Sequence, residues 1–115
     1  MPTKITFIYE NPTDPVAFET AYAEGHVDRA RRLPGVRRIE ESKVWPKEDG
    51  SPTPAYRMLD LYFDDYDAAS TAVATPEAQA VFPAVFALAT GGVRILFLRH
   101  ARGLRPADLR CVAVS

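Results

Sequence analysis

The sequence predicts an α+β domain of the ferredoxin-like class, built on a four-stranded antiparallel sheet. Four stretches rich in β-branched and aromatic residues have the alternation of strands. Two stretches of helical periodicity separate the first strand from the second and the third from the fourth, which gives the order β-α-β-β-α-β. Both helices then cover one face of the sheet, and pairing the bare faces of two copies covers the other. We therefore expect a homodimeric α/β barrel.

The first strand and the first helix occupy the N-terminal third of the chain. Residues 4–9 alternate as a strand does. Asp14 supplies an N-cap and Pro15 a first-turn proline for a helix from Pro15 to Leu33. Pro34 then removes the backbone donor that would continue this helix.

The second and third strands are joined by a long loop. Residues 36–45 form a polar strand, suited to a sheet edge, that we expect to pack through its apolar members Val36, Ile39, Val44 and Trp45. The loop 46–54 contains three prolines. Residues 56–63 form the strongest strand, which places Met58, Asp60 and Tyr62 on one side and Leu59, Leu61 and Phe63 on the other.

The second helical region has two parts. An alanine-rich helix over 66–74 is capped by the preceding aspartates, and a second helix restarts at Thr75. We expect Pro83 to kink that second helix, and residues 93–98 to form the final strand. The domain therefore covers 1–98. The tail 99–115 is an extension that we expect to dock on the sheet edge or on the partner subunit.

Composition excludes several functional classes. The net charge of -1 and pI near 6.1 provide no positive field, so we expect neither nucleic acid nor a membrane surface as partner. No apolar run approaches the ~20 residues of a membrane-spanning helix, and the N-terminus has no signal-peptide pattern, which predicts a cytoplasmic location. One cysteine, Cys111, and two histidines make a metal site improbable.

One histidine lies on the apolar face of the first helix. That stripe contains Phe18, Tyr22, His26, Ala30 and Leu33. His26 therefore has two interpretations that remain open. It is a general acid or base acting on a phenolic or enolic substrate, or it is a core histidine whose ring nitrogens are bound by a backbone carbonyl and a tyrosine.

Further pocket candidates are aromatic residues and one carboxylate. Tyr22 lies one helical turn before His26, and five tyrosines offer ring faces and hydroxyls to a flat ligand. Asp60 stands in an apolar strand, where an unpaired buried carboxylate is costly, so it either contacts a ligand, or pairs with Arg57, Arg94 or a lysine, or faces water. The candidate ligand-contacting residues are Tyr22, Asp60, Tyr62, Phe82 and Phe86.

The order and spacing of several short motifs resemble the EthD family over about residues 4–98. They are Tyr22 with His26, Leu-Pro-Gly-Val at 33–36, Tyr56-Arg57, the run 60–65, Thr-Pro-Glu at 75–77 and Ala-Thr-Gly-Gly-Val at 89–93. The family histidine corresponds to His26. Members often have a proline two residues later, whereas Asp28 stands here.

The resemblance implies a dimeric ferredoxin-like barrel. It implies the function less securely, because one fold hosts many functions. Its name refers to ethyl tert-butyl ether degradation. Proteins with the same barrel include cofactor-free monooxygenases of aromatic polyketides, muconolactone isomerases, polyketide cyclases and haem enzymes. Two classes follow: an enzyme that uses His26 for proton transfer, cyclisation, decarboxylation or oxygenation without a cofactor, or a non-catalytic carrier of a small hydrophobic or aromatic metabolite. Haem ligation by His26 has no further support in the sequence.

Overall fold

The computed structural model describes residues 2–99, and the predicted docking of the tail falls on residues 100–115, outside this range. The elements follow the predicted order, with each helical region divided in two. They are β1 (Thr3–Tyr9), α1 (Pro15–Ala23), α2 (His26–Arg31), β2 (Arg38–Lys43), β3 (Arg57–Phe63), α3 (Tyr66–Val73), α4 (Ala78–Leu88) and β4 (Val93–Arg99). The last strand thus ends one residue beyond the predicted domain boundary.

The four strands form one antiparallel sheet in the order β2-β3-β1-β4. β1 is central, with Phe7 opposite Leu59 of β3 and Ile95 of β4. The arrangement confirms the predicted α+β, ferredoxin-like architecture.

The two faces of the sheet differ in chemistry because side chains alternate along each strand. The face toward the helices carries the fully buried core residues Ile5, Phe7, Tyr9, Leu59 and Leu61. The other face, which we call the open face, carries Thr6, Asp60 and Leu96 side by side on three strands.

The predicted single helix over 15–33 is wrong, because the chain turns at Gly25. Gly25 has φ 101°, a left-handed conformation that a residue without Cβ adopts at little cost, and it separates α1 from α2. The start of α1 is as predicted, since the Asp14 side chain accepts hydrogen bonds from the amides of Val16 and Ala17. The predicted stripe still faces the core, and His26 becomes the first residue of α2.

The edge strand β2 is shorter than predicted. It spans Arg38–Lys43 instead of 36–45, and Trp45, which was expected to pack, is 88% exposed. The sequence between β2 and β3 is proline-rich, which removes backbone donors needed to continue the ladder.

α4 lies across the sheet beside α1 and α2. It buries Val81 and Val85 and continues through Pro83. None of the helices in residues 2–99 is long and apolar enough to cross a membrane.

Candidate functional site

The site is centred on a contact between the end of β1 and the start of α2. Tyr9 is fully buried on the helix side of the sheet, and His26 is 2% exposed. The Tyr9 hydroxyl lies 2.6 Å from Nε2 of His26, which is hydrogen-bonding distance. The turn at Gly25 sets the start of α2 and thereby places this imidazole over the sheet.

Both groups of this pair are held neutral. The pKa of His26 is lowered from 6.5 to about 4, first because burial disfavours the imidazolium and second because of the Arg29 cation, with the Glu41 carboxylate acting in the opposite direction. Burial also raises the pKa of the Tyr9 phenol well above its ordinary value. At neutral pH the pair is therefore a phenol and an uncharged imidazole.

The bond to Tyr9 leaves one imidazole nitrogen available. Within residues 2–99 the hydrogen bond at Nε2 is the one that the ring makes, so Nδ1 has no protein partner there. The other interpretation, a core histidine with both ring nitrogens bound, holds for Nε2, which contacts Tyr9, and does not hold for Nδ1 within residues 2–99. A neutral imidazole has one donor and one acceptor nitrogen, so Nδ1 is a donor in one tautomer and an acceptor in the other.

Tyr22 covers the imidazole on the α1 side. The two ring centroids are 5.1 Å apart, and Tyr22 also stacks on Phe18 at 5.9 Å. The Tyr22 hydroxyl donates to Oε1 of Glu41 at 2.7 Å. Burial and this carboxylate raise the pKa of Tyr22, so its phenol stays protonated and fixes Glu41 toward the site.

Arg57 organises the carboxylates behind Tyr22. Its guanidinium lies 4.3 Å from the centre of the Tyr22 ring. Nη2 donates to Glu19 at 2.9 Å, and Nη1 is 3.8 Å from Glu41. The buried Nε has no hydrogen-bond partner in the described part of the chain. Arg57 thereby connects β3 to α1 and to β2 through carboxylates that lie next to the Tyr22 ring.

A cavity of about 230 Å³ lies beside His26, between the α1–α2 turn and α4. Its apolar walls are Ala21, Ala84, Ala87 and Leu88, and its charged residues are Glu24 and Arg29. A second hollow of about 190 Å³ shares Ala21, Ala87 and Leu88 with it and continues along α1 past Phe18. Together they make a groove between α1 and α4 with His26 at one end.

Asp60 and Tyr62 are not part of this groove. They lie on the open face, across the sheet from His26, because they alternate with the core residues of β3. The Thr6 hydroxyl donates to the Asp60 carboxylate, and Tyr62 donates to Glu40. Asp60 was expected to form an ion pair or to face water: within residues 2–99 no cation lies within 4 Å of its carboxylate, and the residue is half-buried on the open face beside Thr6.

The two phenylalanines of α4 are also separated from the imidazole. Phe82 packs against Phe7 with ring centroids 5.9 Å apart, and Phe86 is 60% exposed. Of the residues selected from the sequence, the structure therefore brings His26 and Tyr22 together. Asp60, Tyr62, Phe82 and Phe86 lie elsewhere.

Four residues of this site were not predicted from the sequence: Tyr9, Arg29, Glu41 and Arg57. A signal existed for Tyr9, since it shares the alternating face of Ile5 and Phe7, which must be the helix side. Arg29 follows His26 by three residues and so shares its helix face. For Glu41 and Arg57 no local signal exists, because their contacts to Tyr22 join separate elements.

No cluster of three or more metal-ligating side chains occurs within the described residues.

Comparison with known proteins identifies the family. The model of the EthD domain matches residues 10–87. The chain belongs to the EthD family. It is 37% identical over 94 residues to an uncharacterised 11.0 kDa protein from the thcB-thcC intergenic region of Rhodococcus erythropolis, covering 82% of this chain and 90% of that protein.

Solved structures show the same fold. An EthD family protein from Bacillus halodurans aligns with a TM-score of 0.80 at 25% identity, covering 88% of this chain and all of that one. SnoaB, a cofactor-independent oxygenase from Streptomyces nogalater, aligns with a TM-score of 0.58 at 22% identity, covering 91% of this chain and 96% of that one. A dimeric ferredoxin-like protein of unknown function from Jannaschia aligns with a TM-score of 0.62 at 17% identity, covering 87% of this chain and all of that one.

Proposed function

We propose that this EthD protein binds a small hydrophobic or aromatic molecule in the groove between α1 and α4 and moves a proton on it with His26. One observation carries the proposal: a buried neutral imidazole, held by Tyr9 at Nε2, borders a cavity and keeps its other nitrogen unpaired within residues 2–99. Nδ1 is not among the buried unpartnered polar atoms of residues 2–99, so solvent reaches this nitrogen, and a ligand in the adjoining cavity takes the place of that solvent.

The proton chemistry follows from the protonation states. A neutral imidazole accepts a proton from a ligand C–H or O–H at Nδ1 if Nε2–H donates to Tyr9. Because the pKa of His26 is lowered to about 4, the neutral imidazole is a weak base and the imidazolium a strong acid, so uptake of the proton is the demanding step and its return to another position of the ligand is fast.

The fold is compatible with such chemistry. SnoaB is named a cofactor-independent oxygenase, although at 22% identity the likeness concerns the fold. For this chain the proposal is the proton-transfer step, which isomerisation, cyclisation, decarboxylation and oxygenation of an enolisable molecule have in common.

We also propose that two copies pair through their open faces. Two proteins of this fold, from Jannaschia and from Bacteroides fragilis, are described as dimeric, and the open face of this chain carries Leu96, which is 41% exposed in the single chain. Pairing leaves the groove of each copy on the outside, since groove and open face lie on opposite sides of the sheet.

Proton exchange into deuterated water tests the function without knowledge of the natural ligand. A panel of enolisable ketones and hydroxylated naphthalenes is incubated with wild type and with His26→Gln, and loss of the exchanging C–H signal is followed by NMR. Gln keeps a polar side chain but takes up no proton in the neutral range.

The expected result is faster exchange of the panel members that bind wild type, with exchange lost and binding kept in His26→Gln. Binding to both proteins without accelerated exchange would show a carrier. Binding to neither would refute a ligand site in this groove.

A further inference from the structure

Arg29 is a half-buried cation at the mouth of the His26 cavity. It lies three residues after His26 in α2, so both side chains point to the same side of the helix. Arg57, the comparable half-buried arginine of β3, is matched by the carboxylate of Glu19 at 2.9 Å. Arg29 has no carboxylate within 4 Å among residues 2–99.

The one hydrogen bond of the Arg29 guanidinium in the described chain is weak. Nη2 lies 3.4 Å from the backbone carbonyl oxygen of Glu24, at the end of α1. A guanidinium has five N–H donors in a planar fork. This contact uses one donor of the guanidinium. The other donors have no protein partner within residues 2–99, and their planar fork has the geometry that binds a carboxylate.

Arg29 is the cation that acts most strongly on the imidazole beside this cavity. Tyr9 of β1 and Tyr22 of α1 are neutral phenols, and the α4 wall contributes alanines and Leu88. After burial, the Arg29 cation has the largest effect on the pKa of His26, and it exceeds the opposing effect of Glu41. The carboxylate of Glu24 also borders the cavity but has no resolved effect on the imidazole.

We propose that the ligand of this cavity is an aromatic or apolar monocarboxylate, with its carboxylate on Arg29 and its apolar body against the alanine walls. The proposal rests on the proposed function and adds the class of ligand to it. The cavity of about 230 Å³ is below the ~300–1,000 Å³ common for drug-sized ligands, which suits a body of one or two rings.

The test compares 2-naphthoate with 2-naphthalenemethanol, a neutral molecule of nearly the same size and shape. Binding of both is measured by NMR titration at pH 7 in wild type, Arg29→Gln and Arg31→Gln. Arg31 lies on the exposed side of the same short helix and does not line the cavity, so its variant removes the same charge and serves as the control.

Wild type and Arg31→Gln are expected to bind 2-naphthoate at least ~10-fold more tightly than the alcohol, as expected for a charge-assisted pair of about 1.4 kcal/mol. Arg29→Gln is expected to bind both equally. Equal affinities in wild type, or a preference that survives in Arg29→Gln, would overturn the carboxylate assignment while leaving the ligand site intact. Binding of neither compound to any variant would overturn the proposed function itself.

Discussion

Lowering the pH from 7 to 5 should destabilise this protein through His26. Its pKa is lowered from 6.5 to about 4 in the folded chain, where the ring is 2% exposed. Between these two values the unfolded chain binds a proton that the folded chain does not, so stability is complete above about pH 6.5 and falls as the pH falls toward 4.

The size of the effect follows from the same values. A pKa difference of 6.5 to about 4, at 1.36 kcal/mol for each pKa unit, corresponds to about 3 kcal/mol in total. By pH 5 roughly 2 kcal/mol of it is lost. The carboxylates with lowered pKa, such as Glu19, have ordinary values of 4.5 or below and so contribute mainly at lower pH.

Urea denaturation at pH 7 and pH 5 measures this loss, at one fixed protomer concentration because a dimer's stability depends on concentration. His26→Gln is the control, since it keeps the second histidine, His100, whose contribution then cancels. Wild type should lose about 2 kcal/mol more than the variant over this range. Equal losses in the two proteins would refute the neutral, buried state of His26.

Three further changes have defined outcomes. Tyr9→Phe leaves Nε2 of His26 buried without its partner and should lower the free energy of unfolding by about 1–3 kcal/mol in urea at pH 7; a change below ~0.5 kcal/mol would contradict the bond. In Gly25→Ala the new Cβ has no atom within 4 Å, but the alanine must adopt φ 101°, so the free energy of unfolding should fall by about 1–2 kcal/mol in the same assay. An unchanged free energy of unfolding would contradict the left-handed turn at this position. Leu96→Glu puts a charge on the open face and should yield monomers in sedimentation velocity, whereas the exposed helix control Val16→Glu stays dimeric; a dimeric Leu96→Glu would count against pairing through this face.

The strands and the buried face of the first helical region were predictable because they depend on local periodicity. Ile5, Phe7 and Tyr9 alternate, and Tyr22 and His26 share a helical stripe, so their burial follows from the sequence. The break at Gly25 was missed because the stripe continues in phase across it. A glycine within a helical pattern is the signal for such a break.

The candidate site was less predictable because it depends on which strand face meets which helix. The alternation in β3 already separated Asp60 and Tyr62 from Leu59 and Leu61, and the leucine side had to face the helices. Combining the two periodicities would have removed Asp60 and Tyr62 from the groove. The bond between Tyr9 and His26 depends on the relative placement of β1 and α2, which tertiary packing determines.

Mapping where a ligand binds tests the site at His26 most directly. In ¹⁵N-labelled protein titrated with 2-naphthoate, amide shifts should change at the groove residues Ala21, His26, Ala84 and Ala87. The amides of Asp60 and Tyr62, on the open face, should not change. Shifts centred on Asp60 and Tyr62 would place the ligand on the wrong side of the sheet and contradict the site proposed at His26.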